Sequence, residues 1–105
     1  MPPKPRLERR NSTRVTVSAE VKLTGASLST VRNRMSDLSL TGAFIDTNLT
    51  LAPGTTIDME FQIQGVTFKL KAEVVNLMPG FGVGVRFLNL SPEQKRLLEK
   101  LLLPR

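Results

Sequence analysis

Ile57-Asp58-Met59-Glu60-Phe61-Gln62-Ile63, then Gln64-Gly65, then Val66-Thr67-Phe68-Lys69-Leu70-Lys71-Ala72-Glu73-Val74 is the stretch that decides the fold. Apolar side chains alternate with Asp58, Glu60 and Gln62 in the first arm, and with Thr67, Lys69, Lys71 and Glu73 in the second. A period of two puts one side of each arm on a core and the other in water, which is the signature of a half-buried β-strand. The Gln64-Gly65 pair between the arms supplies the turn, so the stretch reads as a hairpin.

The same alternation extends in both directions. Upstream, Val15, Val17, Ala19, Val21 and Leu23 alternate with Thr16, Ser18, Glu20 and Lys22. Gly25 to Thr30 reads as a turn or loop, and Val31 to Ser36 as a second strand with Val31, Asn33 and Met35 inward. Gly42 to Asp46 reads as a short strand, and Ala52-Pro53-Gly54 as a turn. Downstream, Pro79-Gly80 turns the chain again, and Val83, Val85 and Phe87 carry the last strand. Six short strands with tight turns predict a closed or nearly closed antiparallel barrel, because closure removes exposed edges. Ser91-Pro92-Glu93-Gln94 is a helix start, with Ser91 as N-cap, Pro92 at the first helical position and Gln94 completing a capping box. Leu97, Leu98, Leu101 and Leu102 then form one apolar stripe, so a helix over about 91–103 is expected, most simply plugging a barrel mouth. The fold class is mainly β: a six-stranded antiparallel β-barrel with a C-terminal α-helix over 15–105. A proline-rich basic arm over 1–14 precedes it and, having no apolar periodicity, is expected to be flexible and to order only on binding.

With 105 residues the chain has room for one domain. It has no cysteine and no histidine, which removes disulfides, thiol catalysis, the common zinc sites and the usual general base near neutral pH. An enzyme is not expected, and neither is a metal or cofactor. The formal net charge of +6 favours an anionic partner. Lys4, Arg6, Arg9, Arg10 and Arg14 crowd the first fourteen residues against Glu8 alone. The start lacks the apolar core of a secretory signal, and no apolar run has the length of a membrane span, so a cytoplasmic protein is expected.

Two polar motifs carry the chemistry. The first is Arg10-Asn11-Ser12-Thr13-Arg14, preceded by Arg9; the second is Asp37-Leu38-Ser39-Leu40-Thr41-Gly42. The planar guanidinium presents paired donors suited to phosphate and to the O6/N7 edge of guanine. Asp37 is a natural acceptor for guanine N1–H and N2–H₂, Ser39 offers a hydroxyl to a base or phosphate, and Gly42 relieves a steric or dihedral constraint under a ligand. Each motif alone also has a plain reading, a solvated basic run for the first and ordinary turn chemistry for the second.

R-x-x-x-R followed by D-x-S-x-x-G resembles the signature of the PilZ domain. Gly82-Val83-Gly84-Val85-Arg86-Phe87 and Asn89-Leu90-Ser91-Pro92-Glu93-Gln94 resemble that family's last barrel strand and helix start, so the likeness covers nearly the whole chain. The resemblance implies a split-barrel fold and binding of cyclic di-GMP through Arg9, Arg10, Arg14, Asp37, Ser39 and Gly42. It implies a bacterial receptor or adaptor in motility, surface-polysaccharide or biofilm control, acting on an effector protein. An arginine at the place of Arg9 is associated in the family with a stacked pair of ligands in place of one. Arg34 is a further candidate, three residues before Asp37; Arg86, between Val85 and Phe87, is expected to point outward into solvent. Met78 and Phe81, near a turn, offer an exposed apolar contact. Two other readings fit the charge and fold: a small nucleic-acid-binding barrel, and a PilZ-fold scaffold working only through protein contacts. Nucleic-acid surfaces usually stack bases on exposed aromatics, and this chain has no Trp or Tyr.

Overall fold

The computed structural model describes residues 15–25 and 28–102. Its elements are β1 (Val15–Gly25), β2 (Leu28–Leu38), β3 (Gly42–Asp46), β4 (Thr56–Ile63), β5 (Val66–Met78), β6 (Gly82–Leu88) and α1 (Pro92–Leu102). The strands close into an antiparallel barrel in the order β1-β2-β3-β6-β5-β4.

The β4–β5 hairpin forms as its alternation predicts. Ile63 pairs with Val66 across Gln64-Gly65. Both turn residues take positive φ, +50° and +81°, the requirement of the two-residue turn that matches strand twist. Phe61 and Phe68 are paired across this hairpin and stack with ring centroids 5.2 Å apart inside the barrel. Met59, Leu70, Ala72 and Val74 continue the same inward face, joined by Val21, Leu23, Met35, Leu38, Ile45, Val83 and Val85 from the other strands. The outward face of β4 carries Asp58 and Glu60 between lysines of the neighbouring strands, with Lys71 Nζ 2.9 Å from Asp58 Oδ1 and Lys22 Nζ 3.8 Å from Glu60. Exposed pairs of this kind add little stability each.

Three boundaries differ from the sequence expectation. Gly25 to Thr30 is not a loop: β1 runs through Gly25, which pairs with Leu28, so only residues 26–27 connect the two strands. Strand 28–38 is also longer than 31–36, and β5 continues past Val74 to Met78. In each case backbone pairing carries the strand through residues whose polarity does not alternate. Asn33 takes an inward-phase position and is half-buried, and its Nδ2 is buried without a hydrogen-bond partner.

The helix starts as read. Gln94 N–H donates to Ser91 Oγ and Ser91 N–H to Gln94 Oε1, both at 3.1 Å, completing a reciprocal capping box. Gln94 Nε2 also donates to the Lys69 carbonyl at 2.9 Å, tying the helix start to β5. Leu98 and Leu102 are buried in the barrel's core cluster, with Leu97 and Leu101 packed beside them. No helix among the described residues is long and apolar enough to cross a membrane.

Candidate functional site

Asp37 owes its position to a break in the strand. Under strict alternation from Met35, which is fully buried, Asp37 would point inward and Leu38 outward. Instead Ser36 and Asp37 both lie on the outer side, half-buried, and Leu38 is buried at 1% exposure. The reason is a register shift: Met35 pairs with Ile45 and Asp37 with Phe44, so Ser36 is an extra residue bulged out of the β2–β3 ladder. On the other side of β2, Thr16 pairs with Asp37 and Ala19 with Met35. The ladder therefore fans out, from adjacent residues on β3 to residues three apart on β1. Bulges bend strands and re-aim side chains in this way, often beside functional sites. Ser36 Oγ donates to Asp46 Oδ1 at 3.0 Å, holding the bulge against β3.

The chain enters the barrel beside this feature. Val15, the first described residue, pairs with Leu38, which lies between Asp37 and Ser39. Arg9, Arg10 and Arg14 lie outside the described residues; Arg14 is bonded to Val15. The β1–β2 ladder thus sets Val15, the residue that follows the first motif in sequence, against the second motif.

Ser39 and Gly42 sit differently from Asp37. Ser39 is fully buried. Its Oγ accepts from the Thr41 and Gly42 N–H groups at 3.2 Å and donates to the Gly42 carbonyl at 3.3 Å. Its own N–H donates to that carbonyl at 2.9 Å. The hydroxyl's bonding capacity is spent inside the turn, so Ser39 here shapes the β2–β3 connection. Gly42 pairs with Arg86, and a Cβ at position 42 would run into the Val85 carbonyl of β6. The constraint it relieves is the close approach of two strands, and no ligand need be invoked to explain it.

Arg34 is exposed on the same outer face as Asp37, and its Nη1 donates to Ser18 Oγ at 2.6 Å. In the ladders it stands between Glu20 on β1 and Asp46 on β3. Arg86 points outward and forms an ion pair with Glu73 of β5. Val75, Met78 and Phe81 are the large apolar side chains exposed among the described residues, the last at 71%. Sequence reasoning passed over Phe44, the residue paired with Asp37. It lies between the inward Ala43 and Ile45, and an aromatic side chain at an outward position was the available signal.

An outward carboxylate placed by a bulge can accept hydrogen bonds from a ligand's N–H groups. The PilZ domain profile matches residues 8–103. The chain belongs to the PilZ domain family. Among solved structures, it is similar to YcgR of Escherichia coli in complex with c-di-GMP, at 27% identity and a TM-score of 0.75 over 89% of this chain and 44% of that one. It is similar at 26% identity and TM-score 0.71 to the isolated PilZ domain of YcgR with c-di-GMP, over 90% of this chain and 88% of that one. The Bacillus subtilis inhibitor of motility MotI/DgrA shares the fold, with a TM-score of 0.78 at 14% identity over 97% of this chain and 54% of that one. This PilZ chain thus spans less than half the length of the complete YcgR chain. Among curated protein sequences none matches it significantly.

Proposed function

We propose that this chain is a cyclic di-GMP receptor in which Asp37 accepts from a guanine edge, while Arg10 and Arg14 grip phosphate and the O6/N7 edge. The observation that carries the reading is the Ser36 bulge, which presents Asp37 outward one rung from where the arginine motif joins β1. The ligand's two phosphates and two guanines suit guanidinium forks and a carboxylate acceptor together. YcgR, whose PilZ domain this chain resembles at 26–27% identity, binds c-di-GMP, which supports the same ligand here.

In this account Ser39 and Gly42 position Asp37 by fixing the turn after it. Arg34 adds a cation to the same face. The nucleotide bridges Arg10 and Arg14 to Asp37, draws residues 1–14 onto the outer face of the barrel, and so changes the surface offered to an effector protein. Ligand shifts that balance only through its different affinity for the two arrangements. No bond is made or broken, and the protein works as a cytoplasmic adaptor. Arg9 supplies an extra guanidinium against a second, stacked nucleotide.

Calorimetric titration with cyclic di-GMP tests the reading. Saturable binding by the wild type, weakened at least about tenfold by both Arg10→Ala and Asp37→Ala, is expected from the loss of charge-assisted hydrogen bonds. Arg9→Leu should lower the stoichiometry from two nucleotides to one. A folded wild type that does not bind would overturn the receptor reading.

A further inference from the structure

The outer face holds a second bulge that mirrors the first. On β5, Val74 pairs with Val85 and Asn76 with Gly84, so Val75 is extra and both Val75 and Asn76 turn outward. The two bulges flank the central β3–β6 pair. The row of paired residues between them runs Asp37, Phe44, Gly84, Asn76 across β2, β3, β6 and β5. Three strand spacings separate its ends, about 14 Å. A carboxylate stands at one end and an amide at the other. Between them lie an aromatic ring and a glycine.

Phe44 does not belong to the barrel core. Phe61, Phe68 and Phe87 are buried there, whereas Phe44 is half-buried on the outer face. Its Cε2 would lie 2.8 Å from a Cβ built on Gly82, so the ring leans over β6 backbone that has no side chain. An aromatic over a cross-strand glycine has a structural use, since it covers exposed backbone. The ring keeps part of its surface exposed, on the strand position paired directly with Asp37. Beyond it, the Asn76 amide stands over Gly84, 3.2 Å from where a Cβ would be.

Resting on the receptor reading above, we infer that Phe44 is the stacking platform for the purine whose edge Asp37 holds. Asp37 fixes the in-plane direction of the base and Phe44 supports its face, so a flat heterocycle gains from both at once. Phosphate contacts alone carry no such preference for a base. Stacking of a base on an aromatic side chain is worth enough that losing the ring weakens binding by about tenfold or more.

The chain has no Trp or Tyr, so Phe44→Trp introduces a single fluorophore at the platform. Its emission should fall saturably on titration with cyclic di-GMP, with the affinity calorimetry gives for the wild type, and the titration should shift to at least about tenfold higher ligand concentration when Asp37→Ala is combined with it. Phe44→Leu keeps an apolar cover over Gly82. It should remain folded by circular dichroism and bind about tenfold more weakly, while Phe44→Tyr binds like the wild type. Wild-type binding that Asp37→Ala weakens but Phe44→Leu leaves unchanged would overturn the platform and spare the receptor reading. No binding by the wild type would overturn both.

Discussion

Asp37, Ser39 and Gly42 share one motif, yet the structure divides their work. Asp37 faces outward and Ser39 is fully buried, its hydroxyl bound to the backbone of residues 41 and 42. Ser39→Ala should therefore cost about 1–2 kcal/mol in urea denaturation, because it strips the acceptor from the Thr41 and Gly42 N–H groups. Gly42→Ala should cost about 3 kcal/mol or more by thermal melting, since the added methyl meets the Val85 carbonyl and backbone cannot step aside as a side chain can. Asp37→Ala should do the reverse and damage binding far more than stability. The motif's spacing was legible in the sequence and pointed to the right turn. Which of its residues meets solvent was not legible, because that depends on the phase shift at Ser36. The shift is fixed jointly by pairing to Ile45 and Phe44 on one side and to Thr16 and Ala19 on the other.

At the scale of elements, the β4–β5 hairpin and the helix start could be read residue by residue, since alternation and the capping box are local patterns. The second strand was legible only in part, as 31–36 of a strand that spans 28–38. Its inward series is broken by Asn33 and by the bulge. Asn33 marks a soft spot in that strand. Its Nδ2 is buried with no partner, so Asn33→Val removes an unsatisfied donor and places a β-branched side chain on the inner face. A gain of about 1 kcal/mol is expected, read as a higher denaturant midpoint with an unchanged slope. Ser91→Ala should act oppositely at the other end of the chain. It breaks the capping box at the helix start and should lower stability by about 1 kcal/mol.

Across the described residues, the barrel's outer surface divides into two faces. On the β1–β4–β5 side, Lys22, Lys69 and Lys71 interleave with Asp58 and Glu60 around a shallow hollow, and their charges largely answer one another. The β2–β3–β6 side carries the Ser36 bulge, Asp37, Arg34 and Phe44. Uniform attraction to a polyanion would use charge wherever it lies, whereas a base-reading site must use the second face. The central claim is that cyclic di-GMP binds there. Amide chemical-shift mapping on the ¹⁵N-labelled full chain during titration with cyclic di-GMP tests it most directly. Perturbations gathered at Thr16, Ser36, Asp37, Phe44 and Gly84 are expected. Perturbations gathered instead around Lys22, Asp58 and Lys71, with Asp37 unmoved, would contradict it.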